Sequence, residues 1–182
     1  IKDINTPYTI KGEISMRNIN LKPDIMKTLI LVGATSFVFS AKAQVDTSKC
    51  TMCHNPQSTF APHLNGQTVE YFTTAFLGYK NGTRPGPTMK KQANLDEATL
   101  KLVAEFFASQ PPIPGTEGDA ALIATGKEIY EKGVREVPAC LTCHGAKGEG
   151  NGPVPRVSGQ LKSFLTTQIT AFQNDEITDS KP

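Results

Sequence analysis

The sequence has no tryptophan, and none of its four cysteines lies outside two pentapeptides, "CTMCH" at 50–54 and "CLTCH" at 140–144. Methionine is scarce too: beyond residue 43 only Met52 and Met89 remain. No basic cluster interleaves with aromatics, which excludes a nucleic-acid surface. No apolar run reaches the roughly 20 residues of a membrane-spanning helix. The formal charge of +2 hides a shift along the chain. Residues 1–43 carry six Lys/Arg against three Asp/Glu, whereas 44–182 carry thirteen against fourteen. With hydrophobic content at 38%, two domains of about seventy residues would each have a thin core, one that a bound prosthetic group could complete.

The charge shift coincides with a targeting pattern. Met26 and Lys27 open it, an apolar stretch runs from Leu29 to Phe39, and Ala41-Lys42-Ala43 gives the small-x-small pattern of a secretory cleavage site. Gln44 follows, where a lipid anchor would need cysteine. Residues 26–43 are therefore expected to be a signal peptide, with an uncleaved anchor or buried N-terminal helix as the alternative. Residues 1–25 form a leader of unknown role. The mature protein is expected to start at Gln44, outside the cytoplasm.

Four cysteines in an exported chain first suggest two disulfides. Zinc could also recruit all four, and C-x-x-C alone would suit thiol redox chemistry. Neither use calls for a histidine directly after the second cysteine, twice. C-x-x-C-H is the attachment signature of c-type haem. Two thiols add across the haem vinyl groups, and the adjacent histidine lands under the iron. The expected cofactors are thus two covalently attached haem c groups. One is held by Cys50 and Cys53 with His54 on its iron, the other by Cys140 and Cys143 with His144.

The second half repeats the first. "PHLNGQTVEYFTTAFLGYKN" at 62–81 aligns with "PRVSGQLKSFLTTQITAFQN" at 155–174, an offset of 93. The haem motifs are offset by 90, so the loop "GAKGEGNG" carries three extra residues. Val69, Phe72, Phe76 and Tyr79 form one apolar helical stripe, with Leu161, Leu165, Gln168 and Phe172 as a less regular counterpart, both expected to pack on haem. A further helix is expected from a capping box at Asn94 and Glu97, with Leu100, Val103, Phe106 and Phe107 on its inner face. "SQPPIPGTEGD" reads as a linker. Beyond it Asp119 caps a helix that Gly133 ends. Everything periodic is helical, which predicts an all-α fold with domains at 44–111 and 119–182 joined by 112–118.

Histidine and methionine together are the axial pair of cytochromes c. Met52 is a spacer inside the first clamp and cannot reach the far side of that haem. Met89, on the Pro/Gly-stiffened stretch "RPGPTMKK", is the expected distal ligand of haem one. His63 is its rival, though a surface role is the expected one for that residue. At offset 93 Met89 maps onto Pro182, so the second unit is expected to be incomplete at its C-terminus, its methionine falling a few residues further on.

Residues 50–182 resemble the dihaem class I cytochromes c of the cytochrome c-four type. The resemblance rests on both clamps, on "PRVSGQLKSFLTTQITAFQN", on "GPTMKK" and on "AEFFASQPP". It implies two similar haem domains back to back and a periplasmic electron carrier, not an enzyme. Its partners would be an upstream donor and a terminal oxidase or other reductase, with peripheral membrane association compatible. The alternatives are the haem subunit of a periplasmic dehydrogenase or a dihaem peroxidase-like enzyme. Only "QVDTSK" separates Gln44 from the first clamp, and Asn55 stands where glycine usually follows it. Packing is therefore more securely expected in the second unit than in the first.

Mass spectrometry of the exported protein should show two haem additions and a start at Gln44. Free thiols on Cys140 and Cys143 would overturn the assignment.

Overall fold

The computed structural model describes residues 45–179. The leader and signal peptide expected at 1–25 and 26–43, and Pro182, lie outside the described residues. Seven helices occur within them: α1 (Ser48–Thr51), α2 (Val69–Asn81), α3 (Pro87–Gln92), α4 (Glu97–Ser109), α5 (Ala120–Lys132), α6 (Leu141–His144) and α7 (Lys162–Gln173). No strand is present among these residues; two isolated bridges, Val134 with Val137 and Asn151 with Val154, close turns. No described helix is long and apolar enough to cross a membrane.

Capping sets the helix ends. The Thr68 hydroxyl accepts from Tyr71 N at the start of α2, and Gly82 ends it with φ of 82°. Asp119 and Gly133 bound α5 as expected. The cap of α4 is Asp96, whose carboxylate accepts from Thr99 N at 2.9 Å, not the expected Asn94. A carboxylate at this point also meets the positive end of the helix dipole, which asparagine would do less well. Met89, expected on a loop, lies on α3, whose first residue is proline with its φ already helical.

The core lies in the first half. Phe72 and Phe76 from α2 meet Leu100, Val103, Ala104 and Phe107 from α4, with Ala93 beside them. Phe72 stacks on Phe107 at 5.8 Å between centroids, and Phe106 meets Phe107 edge-on at 5.2 Å. Burying each of these large side chains contributes about 1.5–3 kcal/mol. The second half differs: among the described residues only Ala171 and Ile177 are buried hydrophobics there, and α5 has no buried residue. The first unit, whose packing is the less securely expected from its short N-terminus and Asn55, is the one that buries a core among the described residues. The closely packed helix pairs are α2 with α4 and α2 with α3, and no described helix covers α7 as α4 covers α2. Phe172 on the expected α7 stripe is accordingly 44% exposed.

The two halves meet through equivalent residues. His63 N donates to Gln160 Oε1 at 2.9 Å, and Gln160 Nε2 donates back to His63 O at 2.9 Å. Arg156 N donates to Gln67 Oε1 at 2.7 Å, and Gln67 Nε2 returns to Arg156 O at 3.2 Å. Since 67 and 160, like 63 and 156, are related by the repeat offset, the seam has the reciprocity of a two-fold interface within one chain. Gly66 and Gly159, also equivalent, have φ of 71°. A Cβ on Gly66 would press on Pro112 and one on Gly159 would collide with the Ile113 carbonyl, so the linker rests on both glycines.

A buried cation completes the seam. Arg84, just past α2, pairs with both Asp179 oxygens at 3.0 Å and donates to Gln168 Oε1 at 2.8 Å. Its guanidinium also lies over the rings of Tyr71 and Tyr79, at 5.5 and 5.8 Å. Gln168 therefore faces the other half, not a haem core as expected. Gly78 sits inside α2 because a Cβ there would collide with the Asp179 carboxylate.

The Arg84 and Asp179 side chains are 0% and 8% exposed, so removing the cation strands a nearly buried carboxylate. Arg84→Met should destabilise the protein by about 3–5 kcal/mol in urea unfolding. A change below about 1 kcal/mol would show that solvent already reaches the pair.

Candidate functional site

Each clamp folds as a single helical turn. His54 N donates to Cys50 O at 2.9 Å and Cys53 N to the same oxygen at 3.2 Å; at the second clamp the equivalent bonds to Cys140 O are 3.0 and 3.2 Å. Spacings of three and four residues bring both thiols and the imidazole to one side of the turn. Cys50 and Cys140 are half-buried, Cys53 and Cys143 exposed, and all four are unpaired thiols. Burial pushes the Cys50 thiol above its ordinary pKa, with Asp46 adding to the effect. Among the described residues no three His, Cys, Asp or Glu side chains converge to hold a metal ion, so the zinc alternative lacks a ligand set.

The loops after the clamps reach one end point by different means. His54 Nδ1 lies 2.8 Å from Pro62 O, and His144 Nδ1 lies 2.8 Å from Pro155 O. A carbonyl only accepts, so Nδ1 carries a proton in both rings, and Nε2 is the nitrogen left to face away from the loop. The first loop turns on side chains: Gln57 N donates to Asn55 Oδ1 and Ala61 N to Ser58 Oγ. Asn55, which departs from the glycine of the family pattern, thus makes its turn without left-handed backbone. In the second loop Gly145, Gly148, Gly150 and Gly152 all have positive φ, and Glu149 accepts from Lys147 N at 2.8 Å. That loop takes up the three extra residues and still delivers Pro155 to His144.

His54 opens into an apolar cleft. Leu64, Tyr71, Phe72, Phe76, Tyr79 and Met89 line it, around about 630 Å³ of empty space that is partly open to solvent. Burial pushes His54 below its ordinary pKa against the pull of Pro62 O, which keeps the ring neutral. Burial raises the Tyr71 and Tyr79 hydroxyls, with Arg84 opposing. A neutral imidazole and a thioether in one apolar cleft are the donors that haem iron takes in cytochromes c. Near the second clamp, Arg156 Nε is buried with no hydrogen-bond partner, next in sequence to the carbonyl that holds His144. An open buried cationic donor suits an acidic group such as a haem carboxylate. Both sites thus fit haem c.

His63, expected at the surface or as a rival ligand, lies at the seam. Its Nδ1 is 2.9 Å from Gly159 O and its Nε2 3.2 Å from Ser58 O, so neither nitrogen faces the cleft as a free donor. The sequence held the signal for this seam in the repeated Gly-Gln, but repetition alone did not show that each glutamine reaches across.

No family model matches the chain. Cytochrome c-552 of Acidithiobacillus ferridurans is 32% identical over 169 residues, covering 82% of this chain and 73% of its own. Cytochrome c4 of Azotobacter vinelandii is 30% identical over 171 residues, 82% of this chain and 81% of that protein. The chain belongs to the cytochrome c4 family. A thiosulfate dehydrogenase electron acceptor of Thiomonas intermedia is 28% identical over 74% of this chain and 67% of its own. The solved cytochrome c4 of Acidithiobacillus ferrooxidans matches the fold with a TM-score of 0.66 at 31% identity, over 73% of this chain and 85% of that one. As a cytochrome c4 the protein carries two covalently bound haem c groups and is an electron carrier, not an enzyme. Like its relatives, it works with redox partners.

The second loop offers a direct test of how it holds His144. Gly150 has φ of 76°, and a Cβ there would lie 2.5 Å from Arg156 N and 2.6 Å from Pro155 C. Gly150→Ala should cost about 1–3 kcal/mol of stability by chemical denaturation. It should also speed exchange of the His144 Nδ1 proton while that of His54 is unchanged.

Proposed function

We propose that His54 and His144 are the proximal iron ligands, that Cys50 with Cys53 and Cys140 with Cys143 form the thioether bonds, and that Met89 is the distal ligand of haem one. The observation that carries this reading is the shared cleft of His54 and Met89, with His54 Nδ1 tied to Pro62 O. Haem c bound at each clamp supplies a one-electron ferric/ferrous couple. The protein's own work is positional. Pro62 and Pro155 fix the ring orientation and tautomer of the two histidines. Phe72, Phe76, Tyr71 and Tyr79 give the first site an apolar wall. Residues 44–111 and 119–182 act as the two haem domains, linked through 112–118.

The protein works in the periplasm, exported by the segment at 26–43 and cut before Gln44. Similarity to a thiosulfate dehydrogenase electron acceptor supports a dehydrogenase as upstream donor. A terminal oxidase or other reductase takes the electrons, with peripheral membrane association on the way. That same similarity favours a second reading, the haem-bearing subunit of a periplasmic dehydrogenase. A peroxidase-like role is not supported: it needs a free acid-base group over an open iron, and both nitrogens of His63 lie against carbonyl oxygens.

Met89→Ala should abolish the weak near-infrared thioether-to-ferric-iron band and lower the haem-one potential by more than about a tenth of the roughly 0.8 V that axial ligands span. Mass spectrometry should still find both haems. An unchanged band and potential would return Met89 to a packing role.

A further inference from the structure

One peptide group at each site makes two hydrogen bonds at once. The Pro62 carbonyl accepts from the His54 ring at 2.8 Å, and the N–H of that same peptide, on His63, donates to Gln160 Oε1 at 2.9 Å. The Pro155 carbonyl accepts from the His144 ring at 2.8 Å, and its peptide N–H, on Arg156, donates to Gln67 Oε1 at 2.7 Å. The peptide that holds each histidine is therefore gripped by a glutamine from the other half.

The glutamine amides have no freedom to turn over. Gln160 Oε1 also accepts from Leu161 N at 2.9 Å while its Nε2 donates to His63 O at 2.9 Å. Gln67 Oε1 accepts from Thr68 N at 3.1 Å while its Nε2 donates to Arg156 O at 3.2 Å. Backbone N–H groups only donate, so the oxygen must face them. Gln67 is 5% exposed, which keeps water from replacing its bonds.

Peptide resonance links the two bonds. Donating the N–H draws electron density through the C–N bond onto the carbonyl oxygen. That oxygen then accepts more strongly from the histidine Nδ1–H, and hydrogen bonds in series strengthen one another. A histidine that leans further toward giving up its Nδ1 proton is a stronger donor at Nε2, and a stronger donor favours ferric over ferrous iron.

We propose that Gln160 and Gln67 are reciprocal positioning residues, each lowering the potential of the haem in the opposite half through the peptide that holds its histidine. This rests on His54 and His144 being the iron ligands. The repeated Gly-Gln then has one job per residue: the glycine admits the linker, and the glutamine tunes across the seam.

The test uses full-length holoprotein and spectroelectrochemical titration, with haem one identified by the band that Met89→Ala removes. Gln160→Leu should raise the potential of haem one and leave haem two in place; Gln67→Leu should do the reverse. Gln160→Glu keeps an acceptor for the His63 N–H and adds negative charge, so it should move haem one the opposite way from Gln160→Leu. Proton exchange at His54 Nδ1 should quicken in Gln160→Leu only. Damage to folding would move both haems, or move the Leu and Glu variants in the same direction, and either outcome overturns the proposal. So does a shift confined to the haem in the glutamine's own half. If the ligand assignment itself is wrong, His54→Ala and His144→Ala will keep wild-type low-spin spectra, an outcome separable from failed tuning on intact ligands.

Discussion

The hydrogen bond from each ligand-motif histidine to a proline carbonyl is the constraint on which the rest of the structure depends. It fixes the ring's tautomer and direction and sets how the following loop must run. Pro62 lies eight positions after His54 and Pro155 eleven after His144, yet both bonds are 2.8 Å long. Loops of different length and composition converge on one geometry. The first does so with Asn and Ser side-chain turns, the second with four glycines in left-handed backbone. When two unrelated local solutions reach the same contact, the contact is the quantity being kept.

From that carbonyl the structure builds outward to the seam. The residue after each proline offers its N–H to a glutamine of the other half, and the preceding turn of each glutamine carries a glycine under the linker. Helix start, linker path and ligand loop are tied in a few contiguous residues. Arg84 adds a charged anchor at the far end of α2, where Asp179, Gln168 and two tyrosine rings surround it. Such a buried ion pair contributes little net stability but penalises any arrangement that separates its members. Its place here is to specify how the halves dock.

Stability is distributed unevenly. The first half buries an aromatic and aliphatic core between α2 and α4, while the second leaves Leu122 and Ile123 largely exposed. Two helices with matched apolar stripes, such as α2 and α4, can bury each other without a cofactor; among the described residues α5 and α7 form no such pair. The first half is therefore a folded scaffold around its cleft, and the second is tied to it through the seam.

Much of this protein was determined by sequence alone. The clamps, the helical class and the caps at Asp119 and Gly133 follow from spacing, because covalent attachment and helix periodicity are local. The shift of the α4 cap from Asn94 to Asp96 shows the limit of even local rules, since two neighbouring residues can both cap and small energies choose between them. The tertiary structure alone decided the roles of His63, Gln67, Gln160, Gln168 and Arg84. Polar side chains like these take their partners from about ninety residues away, and no local pattern encodes which carbonyl or carboxylate will be brought within hydrogen-bond reach.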